Sequence, residues 1–333
     1  MKKKYNVGIV GIRGAVGQEM LSILKERKFP VDQVRLFSTS LEEDQEIDGE
    51  LYEVVNEANA KEKFKNVHIG LFSPGASVSK VIAPLAAAAG CIVIDNTSAF
   101  RMDADIPLVV PEVNPEDIKK QKGIIANPNC STIQMLVALK PLYDYSRIKR
   151  IVVSTYQSVS GAGSAAIEEF EKQSKGSRDI KAFPYQIIHN LIPQIDVPQD
   201  NFYTKEEMKM VNETKKIMHD KNIKVTATCV RVPVLRAHSE AVNIETKDKI
   251  TRAKAIELLR KAEGITVVDD ILKNKYPMPL DVQGKDNTFI GRIREDESIK
   301  NGLNMWIVSD NLRKGAALNA VQIAEKLIKY KII

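Results

Sequence analysis

Asn127-Pro128-Asn129-Cys130-Ser131-Thr132 is the stretch of this 333-residue sequence whose residue types could do covalent chemistry. Apolar Ile124-Ile125-Ala126 precede it, and Ile133, Leu136, Val137 and Leu139 follow with helical spacing, so Cys130 falls at a helix N-terminus. Unpaired N–H groups at such a position lower a thiol pKa and can receive an oxyanion forming on a carbonyl under attack. Most lone cysteines are buried and inert, which is the reading for Cys91 and Cys229. Thiolate supply alone is a weak device, since a thiol of pKa about 8.5 is already about 3% ionised at pH 7. Lowering it by about two units raises that fraction roughly 25-fold while nucleophilicity falls about eightfold, a net gain of about threefold. A thiol enzyme of this kind needs a histidine that moves protons at the reacting oxygen, worth about 10²–10⁴.

Four histidines are available. His68 falls in an expected strand, His219 follows a charged helix and His189 sits in a turn-rich stretch, so each reads as structural or solvated. His238, in Arg231-Val-Pro-Val-Leu-Arg236-Ala-His238-Ser-Glu240, stands between two strands amid positive charge that would hold its pKa down. Seven residues separate Arg231 from His238, an odd offset that puts them on opposite faces of a straight strand. A bend at Pro233 is the expected way for both to face one site.

A second site is suggested by Gly8, Gly11, Gly14 and Gly17, which recur at the junction of the first strand and first helix. Glycines there let the backbone turn tightly and aim helix N-terminal N–H groups at a pyrophosphate, although the same residues also suit a turn alone. The second strand ends in Ser38-Thr39-Ser40 with no acid to accept from a ribose 2′-OH, which favours NADP over NAD unless the stretch is an ordinary polar loop.

These residues need elements to hold them. Strands are expected at 5–10, 33–37, 67–72, 91–94, 108–110 and 124–126, alternating with helices at 14–27 and 77–89. That α/β alternation is the pattern of a Rossmann-type doubly wound nucleotide-binding domain. From about residue 150 the grammar changes to alternating strands at 151–156, 223–232, 241–245, 288–294 and 304–309, with helices near 164–174, 205–218 and 251–263. This reads as an α+β domain with a mainly antiparallel sheet. Residues 175–204, with Pro184, Pro193 and Pro198, form an excursion from it, and 311–330 returns to helical periodicity. The expected division is 1–129 plus 311–333, and 130–310.

Composition narrows the function. At 44% hydrophobic and 28% charged, the chain reads as an ordinary folded protein. Its net charge of +6 comes from lysines and arginines interspersed with acids, apart from Lys2-Lys3-Lys4, so no nucleic-acid partner is implied. The longest apolar run, Val81 to Ile94, is broken by Pro84 and Gly90 and falls short of a bilayer span of about twenty residues. No secretory leader pattern is visible, and three cysteines make neither a disulfide framework nor a metal site, so a cytoplasmic location is expected.

The sequence resembles the aspartate-β-semialdehyde dehydrogenase family of the bacterial type along essentially its whole length. The resemblance rests on Gly8-Ile-Val-Gly11-Ile-Arg13-Gly14-Ala-Val-Gly17, Asp95-Asn96-Thr97-Ser98-Ala-Phe-Arg101, Val109-Val-Pro-Glu112-Val-Asn114, the Cys130 segment, Ser160-Gly161-Ala162-Gly163, Arg231 to His238, and Trp306-Ile-Val-Ser-Asp310-Asn311-Leu-Arg-Lys-Gly315-Ala. It implies NADPH-dependent reduction of L-4-aspartyl phosphate to L-aspartate 4-semialdehyde and phosphate, feeding lysine, threonine, methionine and diaminopimelate synthesis. Cys130 would be the thioester-forming nucleophile, His238 the general acid/base and Gln157 the residue that orients substrate. Arg101 and Lys209 would bind phosphate with Asn129 and Ser98 as nearby donors, Glu206 would hold the substrate ammonium, and Arg231 its α-carboxylate. Gly11, Arg13, Gly14, Ala15, Val16, Ser38, Thr39, Ser40, Ser73, Pro74, Ser160, Gly161, Gly163 and Asn319 would line the dinucleotide. The second domain would be catalytic and dimerising, giving a homodimer, with a tetramer as the larger assembly.

Glu206 and Lys209 lie at i, i+3 on one helix face, a spacing that by itself describes an ordinary surface ion pair. Many bacterial members carry an arginine after the second strand, which Ser38-Thr39-Ser40-Leu41-Glu42 lacks, and Glu42 and Glu43 would oppose a 2′-phosphate if turned inward. NAD therefore stays open as a cofactor. N-acetyl-glutamyl-phosphate reductase shares the plan, yet its substrate has no free ammonium for Glu206. A catalytically silent nucleotide-binding relative would have no use for Cys130, Gln157 and His238 together.

Overall fold

Short apolar runs separated by glycine and proline turns become strands in the computed structural model, which describes residues 3–333; Lys2 of the basic triplet lies outside the described residues. The chain up to Pro128 together with Ala316–Ile333 forms one compact unit, and Asn129–Gly315 forms another.

The first unit carries β1 (Tyr5–Val10), α1 (Ala15–Glu26), β2 (Val31–Ser38), β3 (Gln45–Ile47), β4 (Glu50–Val54), α2 (Ala60–Lys63), β5 (Ile69–Phe72), α3 (Ala76–Ala88), β6 (Ile92–Asp95) and β7 (Ile124–Ala126). Its sheet runs β3-β4-β2-β1-β5-β6-β7, parallel except for β3 against β4. Strands β5 and β6 are buried at every residue, as a parallel sheet covered on both faces requires. The order reverses between β1 and β5, and such a switch point opens a ligand crevice at the strands' C-terminal ends. Met20 and Ile23 of α1 pack with Ile9, Leu71 and Ile94 of the sheet and with Leu318, Val321 and Leu327 from the chain's end.

Three details depart from the expected elements. The β3–β4 hairpin was not anticipated; its signal is Asp48-Gly49, both at positive φ, the dipeptide that a two-residue hairpin turn favours. The strand expected at 108–110 shrinks to a single bridge between Leu108 and Ala126, because Pro111 lacks the N–H that a longer ladder needs. His68 stands just before β5 rather than in it, its Nδ1 accepting from the Asn6 N–H at 2.9 Å.

The second unit carries α4 (Cys130–Tyr145), β8 (Ile148–Gln157), α5 (Ser164–Ser174), α6 (Lys205–Ile217), β9 (Lys224–Arg231), β10 (His238–Thr246), α7 (Arg252–Lys261), β11 (Ile265–Val267), α8 (Pro279–Val282), β12 (Thr288–Asp296) and β13 (Gly302–Ser309). Its sheet runs β11-β12-β13-β10-β8-β9. Three of its five pairings are antiparallel, as expected of a mainly antiparallel sheet, while the edge strands β9 and β11 pair parallel. Ile133, Leu136 and Val137 of α4 are buried, as are Val153 of β8, Val242 and Ile244 of β10 and Ile307 of β13. The 175–204 excursion is pinned by side chains of α5. Glu169 accepts from the Lys181 N–H at 2.6 Å and Gln173 from that of Ile187 at 3.0 Å, while Ile192 bridges to Arg231. α9 (Leu318–Lys329) belongs to the first unit.

Candidate active site

Cys130 opens α4 because Asn129 caps it: the Asn129 Oδ1 accepts from the N–H groups of Ser131 at 3.0 Å and Thr132 at 3.2 Å. Capping satisfies donors that a helix start otherwise leaves open. Cys130 is half-buried, whereas Cys91 and Cys229 are buried and their thiols are pushed far up by desolvation. Two of the three sulfurs are thereby silenced as nucleophiles at neutral pH.

Asn129 also ties the helix start to α6. Its backbone N–H donates to Glu213 Oε2 at 2.7 Å and its Nδ2 to Glu206 Oε1 at 2.8 Å. The same Glu206 oxygen accepts from Gln157 Nε2 at 3.1 Å, and Gln157 Oε1 accepts from the Thr155 hydroxyl at 3.0 Å. Glu206 Oε2 meets Lys209 Nζ at 2.9 Å, and Lys209 reaches Asp196 at 2.9 Å. Burial pushes the Glu206 carboxyl up, but Lys209 and the amides of Asn129 and Gln157 outweigh it and hold the pKa at about 2. Lys209 is likewise penalised by burial and held in its charged form by Glu206 and Asp196. The i, i+3 pair is thus a sequestered network rather than a surface bridge, with the Glu206 side chain only 7% exposed.

The chain bends at Pro233, between Arg231 and His238, as expected. They lie on different strands: Arg231 ends β9 in register with Gln157 of β8, and β10 runs along the other side of β8 with Ser239 opposite Tyr156. The chain reverses between them, so parity along one strand does not govern which way they face. Ala237, just before β10, takes a left-handed φ of 75°. His238 is fully buried. Its Nδ1 accepts from the Ser158 N–H at 3.0 Å and lies 2.9 Å from the Ser158 hydroxyl. A backbone donor can only donate, so the neutral ring carries its proton on Nε2, which has no hydrogen-bond partner among the described residues. Desolvation, with repulsion from Arg231 second, holds the His238 pKa down at about 3. Burial similarly lowers Arg231, opposed by Glu206 and Cys130, and its Nη1 donates to the Ser158 carbonyl at 2.6 Å.

Gly161 closes this group. A Cβ there would sit 3.0 Å from His238 Nε2 and 3.1 Å from Arg231 Nη1, so a side chain would crowd both functional atoms. Ser160 and Gly163 flank it in the turn after β8. Ser158, Asn311 and Glu213 were not among the expected site residues. Asn311 Oδ1 accepts from Ser158 Oγ at 3.0 Å and from the Ala237 N–H at 2.9 Å, which fixes the backbone that carries His238. For Ser158 and Asn311 the one sequence signal is adjacency to Gln157 and Asp310, and for Glu213 there is none; the contacts of Asn311 span 153 and 74 residues and that of Glu213 with Asn129 spans 84.

The first unit holds the remaining expected residues. Gly11 takes φ +81°, and a Cβ there would lie 2.6 Å from the Ser73 carbonyl oxygen, so only glycine lets β1 and β5 end this close together. Gly14 caps α1, whose first turn is Ala15, Val16 and Gly17, while Ser73 and Pro74 follow β5. Together they leave an uncluttered helix N-terminus at the switch point, which fits a dinucleotide pyrophosphate. Arg13 Nη1 donates to Ser40 Oγ at 3.1 Å, and the Ser40 N–H reaches Ser38 Oγ at 3.3 Å, with Thr39 between. The positive charge absent from the 38–42 loop therefore arrives from the glycine turn, while Glu42 and Glu43 are solvent-exposed. Arg101 is buried, with Nε donating to the Asn127 carbonyl at 2.9 Å and Nη2 to that of Asn96 at 2.8 Å; Ser98 is half-buried nearby in sequence. Asn319 is fully buried, its Nδ2 donating to Val109 O at 3.0 Å and Asn127 Oδ1 at 2.6 Å. No helix among the described residues is long and apolar enough to cross a membrane.

Residues 6–121 match the family of semialdehyde dehydrogenase NAD-binding domains, and residues 139–314 that of semialdehyde dehydrogenase dimerisation domains. The chain is 54% identical to an aspartate-semialdehyde dehydrogenase of Aquifex aeolicus over 99% of each chain. It is 48% identical to one of Bacillus subtilis over the full length of both. Among solved structures, aspartate semialdehyde dehydrogenase II of Vibrio cholerae complexed with ASA superposes with a TM-score of 0.92 at 49% identity, over 98% of this chain and 99% of that one.

Proposed function

The chain belongs to the aspartate-semialdehyde dehydrogenase family, an enzyme family with a nucleotide-binding and a dimerisation domain, and on that premise we propose that it reduces L-4-aspartyl phosphate to L-aspartate 4-semialdehyde through a Cys130 thioester. The observation that carries this reading is the buried network that joins Asn129, Gln157, Glu206 and Lys209 beside the helix start that presents Cys130.

In the second unit, Cys130 Sγ attacks the acyl carbon, the carbon–oxygen bond to phosphate breaks, and phosphate departs. Glu206, ionised despite burial, suits a substrate ammonium, and Arg231 offers a planar fork for the α-carboxylate. Gln157, aimed by Thr155 and Glu206, orients the acyl group, and Lys209 is assigned to phosphate. The His238 Nε2–H, without a partner among the described residues, donates to the oxyanion that develops on the acyl oxygen. When the thiohemiacetal collapses, its hydroxyl re-forms the carbonyl, the carbon–sulfur bond breaks with its electron pair on sulfur, and the hydroxyl proton passes by way of His238 to the Cys130 thiolate.

In the first unit, Gly11, Arg13, Gly14, Ala15, Val16, Ser38, Thr39, Ser40, Ser73, Pro74 and Asn319 are the proposed dinucleotide residues. Bound dihydronicotinamide supplies the hydride for the acyl carbon. Arg13 against Ser40 supports NADP over NAD, because a guanidinium pairs a 2′-phosphate bidentately and gains nothing from a 2′-hydroxyl. Arg101 and Ser98 are assigned to phosphate. A homodimer and a cytoplasmic, biosynthetic setting complete the proposal.

The test is phosphate-dependent reduction of NADP⁺, and separately NAD⁺, by aspartate semialdehyde and by N-acetylglutamate semialdehyde. Faster turnover of the acetylated aldehyde reverses the substrate assignment, since Glu206 would then have no ammonium to hold. Rapid-quench mass spectrometry should find Cys130 acylated, and its absence removes the thioester.

A further inference from the structure

A second polar tier lies directly beneath Cys130 and His238, and the chemistry above does not use it. Gln134 is four residues along α4 from Cys130 and so shares its helix face, and Glu240 is two residues along β10 from His238 and shares its sheet face. The tiers are joined, because Gln134 Nε2 lies 3.5 Å from the His238 carbonyl oxygen. Both Gln134 and Glu240 are fully buried.

Among the described residues no cation pairs with Glu240. In register beside it are Thr155 of β8, whose hydroxyl is given to Gln157, and Ile307 of β13. Neither Glu240 oxygen has a well-formed hydrogen bond among the described residues, and Gln134 Oε1 has none either. Burial drives the Glu240 carboxyl far above its usual range, and the neighbouring Gln134 amide offsets this only in part. An ionised carboxylate in such a place is very costly, whereas a neutral carboxylic acid brings the one donor that Gln134 Oε1 lacks.

We propose that Glu240 is kept as a neutral acid whose hydroxyl donates to Gln134 Oε1, and that this pair is a positioning device that fixes α4 against β10 and so sets Cys130 against His238. It rests on the functional reading above, in which those two residues act on one acyl group. The pair holds the reacting residues through their own elements: Gln134 moves with the Cys130 helix turn and Glu240 with the His238 strand. A fully apolar tier would fill the same space without specifying one register of helix on strand.

The experiment compares the intact enzyme with Glu240→Gln, Glu240→Leu and Gln134→Leu. Glutamine keeps a neutral donor for Gln134, so Glu240→Gln should retain most of kcat. The two leucine variants should lose roughly ten- to hundredfold in kcat, with KM for semialdehyde and dinucleotide little changed, as expected when reacting groups are displaced by about an ångström. Alkylation of Cys130 by iodoacetamide, followed against pH, should match wild type in the glutamine variant and depart from it in both leucine variants. Infrared difference spectra of wild type minus Glu240→Gln at neutral pH should show the carbonyl stretch of a protonated carboxylic acid. Glu240→Gln as impaired as Glu240→Leu, a leucine variant with wild-type kcat, or a carboxylate band alone overturns the proposal. If wild type fails to turn over aspartate semialdehyde, the functional reading falls, and the infrared and alkylation results still decide this one.

Discussion

Lowering the pH should cost the second unit stability through His238, while Glu240, whose carboxyl burial holds well above its usual range, acts in the opposite sense and equally in wild type and in a His238 variant. The ring is buried neutral with a pKa of about 3 against an ordinary value of 6.5, so its contribution to stability is complete above 6.5 and is lost as pH falls toward 3. Each pH unit in that window is worth about 1.4 kcal/mol per proton taken up by the unfolded chain. Between pH 7 and pH 5 the loss attributable to His238 is therefore about 2 kcal/mol. Glu206 titrates in the unfolded chain near 4.5 and stays out of this interval. The assay is urea denaturation at pH 7 and pH 5 of wild type and of His238→Asn, whose Oδ1 can still accept from the Ser158 N–H that now meets Nδ1. Replacing the ring costs stability at both pH values, and that offset cancels in the comparison. Wild type should lose about 2 kcal/mol more than the variant on going to pH 5. Equal losses would refute the picture of a desolvated neutral imidazole repelled by Arg231. An NMR titration of the His238 Cε1–H should agree, showing no protonation of the folded protein down to pH 5.

Cys130→Ser should abolish turnover while leaving the dinucleotide dissociation constant unchanged, as read by fluorescence titration; weakened cofactor binding would contradict the assignment of the dinucleotide to first-unit residues. Glu206→Gln removes the charge meant for the substrate ammonium and should raise KM for aspartate semialdehyde roughly tenfold or more, by loss of a charge-assisted contact. An unchanged KM removes that role. Arg13→Ala should weaken NADP binding about tenfold and leave NAD binding within about twofold, the signature of a lost phosphate contact. Equal weakening of both would assign Arg13 to the shared part of the dinucleotide.

What the sequence determined by itself was everything that depends on neighbours along the chain. Tyr5–Val10 followed by α1, the placement of Cys130 at the start of α4, and Glu206 with Lys209 on one face of α6 follow from turn sterics, capping and helical spacing. Resemblance added the names of the residues that should work together. The Asp48-Gly49 hairpin is equally local, because two adjacent residues at positive φ suffice to turn the chain.

Tertiary structure decided what depends on register between distant segments. Arg231 and His238 face one site because they flank β8 on different strands, a fact that parity along one segment cannot express. Ser158 and Asn311 fix the histidine tautomer and its loop across more than 70 residues of chain. Glu206 and Lys209 read as a surface pair until burial made them a network, and Glu240 was one more charge in a strand until α4 closed over it. The physical reason is desolvation: how far a carboxyl or an imidazole is removed from water depends on every element packed around it, and no short stretch of sequence contains that quantity.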